Sequence, residues 1–166
     1  MNKNIIRGGL LIALAVVLQA LRLFIPVPLP VSTFLIGSLV HMLLLLSLRL
    51  TGLQTALCMG AILPCTAYLQ GQLALPFLLP IGIMGNAVFL LLAQRFSQGA
   101  VAIVVPPLCK AAFTAGLAFC CLQLFGLGES KIGHAVIYAM SVPQVVTGVL
   151  GILAARKMQG LLQNKI

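Results

Sequence analysis

The chain has 166 residues, of which 61% are hydrophobic and only 7% are charged, with a mean hydropathy of +1.19. This composition excludes an ordinary soluble globular domain and predicts a protein that works inside a lipid bilayer. The formal net charge of +9 comes from ten Lys and Arg residues scattered between apolar runs, which indicates membrane topology rather than a nucleic-acid interface. We therefore expect the bilayer, and no nucleic acid, among the partners.

Six apolar segments follow one another along the chain. A membrane-spanning helix needs about 20 largely apolar residues, and breaks at Pro, Gly and charged residues place the spans near 5–25, 33–48, 51–69, 73–93, 100–124 and 134–155. We expect residues 1–166 to form a single all-α membrane domain, a polytopic bundle of six transmembrane helices. The tight join around residues 49–52 predicts that the second and third helices form an antiparallel hairpin.

The first loop and the prolines within the spans predict a pocket. Alternating prolines in the stretch 25–32 do not continue a helix, so we expect a semi-rigid extended loop there. Helices that break at membrane depth are tolerated where they line a cavity, which predicts an outward-facing pocket roofed by the loop. The prolines expected to interrupt the third, fourth and sixth spans, mostly in their outer halves, are Pro64, Pro76, Pro80 and Pro143.

The distribution of basic residues predicts the orientation. Six spans put both termini on one side, and the positive-inside rule favours the cytoplasm for them. We therefore expect a multi-pass inner-membrane protein with both termini cytoplasmic. On this topology the basic residues inside are Lys3, Arg7, Arg49, Arg95, Arg156, Lys157 and Lys165, against Arg22 and Lys131 outside.

The residues needed for most enzymatic chemistry are missing. Glu129 is the only acidic residue, so the chain has no paired carboxylates for acid–base catalysis or for a magnesium site. It also has no nucleophile elbow, no phosphate-binding loop and no C-x-x-C pair among its five cysteines. We expect no enzymatic activity, no cofactor and no metal site, and any ATP would be hydrolysed by another subunit.

Polar side chains inside the spans are the candidate functional residues, because burying them in hydrocarbon is costly. His41, Lys110 and Gln144 lie about 12–15 Å deep at ~1.5 Å per residue, and Asn86 lies in the inner half of the fourth span. Tyr138 accompanies the interrupted sixth span. These five residues are our candidate substrate-binding set.

Lys110 is the most informative of them, since no carboxylate is available to pair its ammonium group. It needs water, backbone carbonyls or an anionic ligand, and a lysine with amide neighbours suits an anionic or polar neutral molecule. Structural alternatives remain open for the set. Lys110 could snorkel or be capped by carbonyls freed by Pro106 and Pro107, Asn86 and Gln144 could join helices, and His41 could be a structural histidine.

Small residues recur at four-residue spacing in four spans, which predicts helix faces that allow close approach. Such faces either pack within this chain or dock a separate membrane subunit, and the pattern does not separate the two. The stripes are Gly9 and Ala13; Gly52, Ala56 and Gly60; Ala112 and Gly116; and Thr147, Gly151 and Ala155.

In size and six-helix layout the chain resembles, over essentially its whole length, the substrate-binding S components of energy-coupling factor (ECF) transporters, which are prokaryotic vitamin importers. Four features in chain order carry the resemblance: the opening Arg7–Ala15, the Gly-rich span Gly52–Pro64, the run Pro80–Asn86, and Lys110 in the fifth span. The family often begins with Ala-x-x-x-Ala, where this chain has Gly9 and Ala13.

The resemblance implies a subunit that binds a vitamin or related small molecule, while a transmembrane coupling subunit and two ATPase subunits drive transport across the prokaryotic cell membrane. It implies that Asn86, Lys110 and Gln144 lie near the ligand, with the loop 26–30 over it. Gly9 and Ala13 would dock the coupling subunit. The alternatives are a self-sufficient secondary carrier or channel and a structural membrane subunit.

Overall fold

The computed structural model describes residues 3–24 and 29–163, and in these ranges every regular element is an α-helix, with no strand. Each helix is joined to the next by a short connection, the longest being residues 70–77. The helices in chain order are α1 (Lys3–Phe24), α2 (Leu29–Leu50), α3 (Leu53–Leu69), α4 (Leu78–Arg95), α5 (Val101–Leu124), α6 (Lys131–Met140) and α7 (Val142–Gln163).

Several of these helices have the length and composition of membrane spans. Within the described residues, five helical segments are long and apolar enough to cross a bilayer, and one of them runs from Lys131 to Leu161 through α6 and α7. The apolar helix α3 is shorter, at 17 residues. The expectation of an all-helical membrane-type protein is therefore met, with five long segments and one shorter one.

Helices α1 to α5 alternate in direction and α7 runs parallel to α2, which defines two ends of the bundle. The starts of α1 and α3 lie together, where Gly8 contacts the Thr55 side chain. A cavity at the same end is lined by the C-terminal halves of α2 and α7, by the end of α4 and by the start of α5. We call this the terminal end. The opposite end, where α2, α4 and α7 begin, holds another cavity, to which all seven helices contribute, and is called the cavity end.

Close packing of α7 against α2 forms the middle of the bundle. A Cβ atom on Gly151 would lie 2.5 Å from the Cβ of His41 and 3.0 Å from the backbone oxygen of Ser38, so only glycine allows this approach. Gly37 of α2 similarly accommodates the Thr147 side chain of α7. Two apolar clusters flank this contact, one around Leu44, Met59 and Phe89 and one around Leu78, Ala118 and Leu122.

Two predicted helix starts are wrong, both at prolines, and α7 extends to Gln163, past the predicted end at 155. α2 begins at Leu29 and not at 33, so residues 29–32 are helical rather than extended; the predicted loop residues 25–28 lie outside the described residues. α4 begins at Leu78, which leaves Pro76 in a turn and puts Pro80 in the first helical turn, where it does not interrupt the helix. The first turn tolerates proline because its backbone N–H groups have no intrahelical acceptor.

The predicted interruption of the sixth span near Pro143 is present. α6 ends at Met140 and α7 begins at Val142, with Ser141 between them. Pro64, in contrast, lies within a continuous α3, where it removes one backbone N–H without ending the helix.

Candidate ligand-binding site

A cavity of about 180 Å³ opens at the cavity end and is lined by residues from all seven helices. Much of its wall is apolar, with Ile36, Val40 and Leu63 among the lining residues. Its polar side chains come from helices far apart in sequence. These polar residues are Gln19, Arg22, His41, Gln72, Asn86, Lys110, Thr114 and Gln144.

Lys110 is the centre of a buried cluster next to this cavity. Its side chain is only 5% exposed, and Nζ lies 2.8 Å from Nε2 of His41 and 2.8 Å from Oδ1 of Asn86. The ring of Phe89 completes the surroundings, with its centroid 5.6 Å from Nζ. Three helices, α2, α4 and α5, therefore meet at one ammonium group whose partners are all uncharged.

The hydrogen bonds of His41 determine which of its ring nitrogens is the donor and which is the acceptor. Nδ1 lies 2.8 Å from the carbonyl oxygen of Gly37, and because a carbonyl only accepts, Nδ1 carries the hydrogen. In a neutral imidazole Nε2 is then the acceptor, so Lys110 donates to it. The ring also meets Phe89 edge to face, with centroids 5.0 Å apart, which holds the imidazole plane in place.

Asn86 is oriented by a proline on the neighbouring helix. Pro64 has no backbone N–H, so the carbonyl of Gly60, four residues earlier, is left without its helical partner. The side-chain Nδ2 of Asn86 donates to that carbonyl at 2.8 Å. This bond directs Oδ1 of Asn86 towards Lys110, so the proline in α3 indirectly positions an acceptor for the ammonium.

The break between α6 and α7 is tied to the same region by Thr114. Its hydroxyl lies 3.1 Å from the carbonyl oxygen of Met140, the last residue of α6, and 2.9 Å from that of Lys110. Gly85 of α4 leaves room for the Thr114 methyl group, since a Cβ there would overlap it. The Met140 carbonyl at the break thus has a hydrogen-bond donor within the bundle. Gln144, near the start of α7, lies at the cavity wall.

The end of α1 supplies polar groups on another side of the cavity. Nε2 of Gln19 donates to the carbonyl of Leu63 at 3.2 Å, and Gln72 donates to the backbone oxygen of Gln19 at 3.1 Å. Arg22, one turn further, is half-buried and lines both this cavity and a smaller apolar pocket between α1 and α2. Its Nε atom is buried without a hydrogen-bond partner among the described residues.

The basic residues at the cavity therefore have no acidic partner among the lining residues. Lys110 and Arg22 both line it, whereas Glu129, the only acid of the chain, is exposed in the connection between α5 and α6. Buried cations in proteins are normally paired or strongly hydrogen-bonded. The partners of Lys110 are a histidine, an amide and an aromatic ring.

Four of the five predicted binding residues lie at this cavity: His41, Asn86, Lys110 and Gln144. Tyr138 does not line it and is 61% exposed on α6. Lys110 is bonded to side chains and not to carbonyls freed by Pro106 and Pro107, and it does not snorkel to a helix end.

Four polar residues of the site lie outside the predicted binding set: Gln19, Arg22, Gln72 and Thr114. Gln19 and Arg22 are three residues apart in an otherwise apolar segment, so they share one face of α1. That spacing was the available signal. Thr114 could have been found from its spacing as well, because it lies one helical turn after Lys110 and shares its face of α5.

The small-residue stripes divide into two groups. Gly60 packs against Asn86 and Leu90 of α4, and Gly151 packs against α2, so these stripes serve packing within the chain. Gly9 and Ala13 are exposed on α1, and a Cβ on Gly9 would meet nothing within 4 Å. The stripe Ala112 and Gly116 on α5 is also exposed.

A second cavity, of about 120 Å³, lies at the terminal end. Two arginines line it, Arg49 from α2 and Arg156 from α7, together with Gln159. Arg49 is exposed, and Arg156 donates to the carbonyl of Gly99 at 3.2 Å.

Within the described ranges, no three His, Cys, Asp or Glu residues are grouped so that they could hold a metal ion. No protein-family model, no curated protein and no solved structure matches this chain.

Proposed function

We propose that this protein is the substrate-binding subunit of an ECF-type importer, which captures a vitamin or related small molecule from the outer side of a prokaryotic cell membrane. The observation that carries the proposal is the buried cluster of Lys110, His41 and Asn86 beside a cavity in a bundle of apolar helices. Polar and ionisable groups within apolar helices are costly and mark ligand or ion pathways.

In such an importer one subunit binds the substrate and others hydrolyse ATP, which fits the motifs that this sequence contains and lacks. The sequence has one acid and no phosphate-binding loop, so the energy for transport would come from a coupling subunit and two ATPase subunits. On this proposal the chain binds its substrate tightly without transporting it alone. The exposed stripe with Gly9 and Ala13 on α1 is the docking face proposed for the coupling subunit.

Reconstitution separates this proposal from the alternatives. The purified chain in proteoliposomes should bind substrate but show no uptake under an ion gradient, and uptake should appear only when coupling and ATPase subunits are added with ATP. Uptake by the chain alone would instead identify a secondary carrier or channel. A chain that binds nothing in a panel of vitamins and precursors would contradict a binding subunit and favour a structural role.

The docking face gives a second, independent test. Gly9→Leu and Ala13→Leu together should abolish co-purification with the coupling subunit, because large side chains prevent close helix approach. Substrate binding by the isolated chain should be unchanged. The matched control is Gly116→Leu together with Ala112→Leu on the exposed face of α5, which should leave co-purification intact. Equal loss in both pairs would contradict a specific role for α1.

A further inference from the structure

We propose that the cavity binds a small organic anion, a carboxylate with a compact apolar body, whose charge is neutralised by Lys110 and Arg22. This inference rests on the proposed function, because it names the substrate class of the same site. It involves Arg22, whose sequence position alone indicated only a charge outside the membrane.

The first step is charge. Two basic side chains line the cavity and the only acid of the chain lies elsewhere, so the protein supplies no anion to either of them. The three groups around the Lys110 ammonium, from His41, Asn86 and Phe89, are uncharged. A ligand that carries a negative charge would supply the missing counterion, whereas a cationic ligand would add a third positive charge.

The second step is hydrogen-bonding capacity. An ammonium group has three N–H donors, and the bonds to His41 and Asn86 use two of them, which leaves one for a ligand. The buried Nε of Arg22 is a further donor with no acceptor among the described residues. A carboxylate offers two acceptor oxygens and forms strong charge-assisted bonds with both kinds of donor.

The third step is size and polarity. A cavity of about 180 Å³ is close to the roughly 150 Å³ that accommodates one benzene molecule in an apolar protein interior. The cavity wall contains Ile36, Leu63 and Leu78, which suit an apolar body of about one ring or a short chain. A phosphate ester is a poorer match, because it brings a charge of about −1.5 to −2 and three terminal oxygens to few donors.

The experiment uses the full chain in nanodiscs of phosphatidylcholine, which carries no net charge. The wild-type chain is incubated with a small-molecule extract of bacterial cells, washed, and its bound molecules are released and identified by mass spectrometry. The captured compound and its primary amide are then titrated against the wild type and against Lys110→Met and Arg22→Gln. Arg49→Gln, which removes a positive charge at the second cavity, is the matched control.

We expect a carboxylate to be captured, and its amide to bind about 100-fold more weakly, because the charge pair is lost. The affinity for the captured acid should fall by a similar factor in Lys110→Met and by about tenfold in Arg22→Gln. Arg49→Gln should bind the acid with the affinity of the wild type. Circular dichroism and size exclusion show whether Lys110→Met folds. If it does not, the affinity of Arg22→Gln for the acid and the titration of the wild type with the amide test the proposal.

The unfavourable results separate the two proposals. Capture of only a neutral or cationic molecule would overturn this inference and leave the binding function standing. Equal affinity for acid and amide, or unchanged binding in both cavity variants, would overturn it as well. A wild-type chain that captures nothing from the extract would overturn the binding function and the inference together.

Discussion

The two cavities at opposite ends of the bundle have similar charge but different surroundings. Each is lined by two basic residues and by glutamine, and neither contains an acid. At the cavity end Lys110 is buried and bonded to side chains from two other helices. At the terminal end Arg49 is exposed and Arg156 donates to a backbone carbonyl.

The difference shows that basic residues in this protein can have quite unlike surroundings in two cavities of similar composition. An exposed arginine at a helix end remains hydrated and needs no other counterion. A buried ammonium with uncharged partners has lost most of its hydration, so its stability depends on the hydrogen bonds around it and on any ligand that enters. Burial and partner set therefore distinguish the first cavity, and variants that alter them should affect it alone.

Asn86→Leu should have the largest effect on both stability and binding. It removes an acceptor from Lys110 and a donor from the free carbonyl of Gly60. Loss of a bond to a charged group costs about 1.5–3 kcal/mol, and an interhelical hydrogen bond in a membrane protein about 0.6–1.7 kcal/mol. Thermal unfolding in nanodiscs should show a melting temperature lower by about 5 °C or more.

The control for Asn86→Leu is Gln159→Leu at the second cavity, where the half-buried amide has no such cluster around it. That variant should change the melting temperature by less than about 2 °C, as surface substitutions commonly do. Equal shifts in the two variants would mean that the buried cluster contributes nothing special to stability.

Gly151→Ala should have an intermediate effect and acts without changing any charge. The added methyl group would lie 2.5 Å from the Cβ of His41, so α2 and α7 must separate or His41 must move. Overpacking of this kind costs about 1–3 kcal/mol. We expect a lower melting temperature, and weaker substrate binding in a titration because the acceptor for Lys110 is displaced.

Gly116→Ala is the matched control for this glycine, since nothing lies within 4 Å of a Cβ at that position. Alanine is the better helix former by about 1 kcal/mol, so the control should be neutral or slightly more stable. Destabilisation by Gly116→Ala of the same size would show that the cost reflects glycine replacement in general and not the contact with His41.

Most of the helices could be predicted from the sequence, because runs of apolar residues between breakers determine where helices form. Five of the six predicted spans correspond to one helix each, and the sixth to α6 and α7. The errors occurred at Pro30, Pro76 and Pro80. A proline is compatible with the first turn of a helix, with a turn or with an interruption, and only the packing of the neighbouring segments selects among these.

The site was predicted less completely, because its residues converge through tertiary packing. Burial cost pointed to His41, Asn86 and Lys110 individually, but their mutual distances depend on how α2, α4 and α5 meet. The bond from Asn86 to Gly60 depends on a proline in yet another helix. From the sequence, Arg22 is interpreted as a basic residue outside the membrane, since a basic residue near the end of a span normally reflects membrane topology.

Gln144→Glu should have the smallest of the three effects and tests the electrostatic difference between the cavities most directly. The change is nearly isosteric and adds one negative charge to the wall that holds Lys110 and Arg22. If the cavity binds an anion, the new carboxylate competes for the same cations and repels the ligand. We expect about tenfold weaker binding of the captured acid in a titration, which corresponds to ~1.4 kcal/mol.

The matched control is Gln159→Glu, which makes the same change at the second cavity. It should leave the affinity for the acid unchanged, because charges at the far end of the bundle are distant and screened. Unchanged affinity in Gln144→Glu would mean that the added charge does not reach the ligand. Tighter binding of the acid would mean that the ligand presents a donor to this wall, and would contradict an anion held by Lys110 and Arg22.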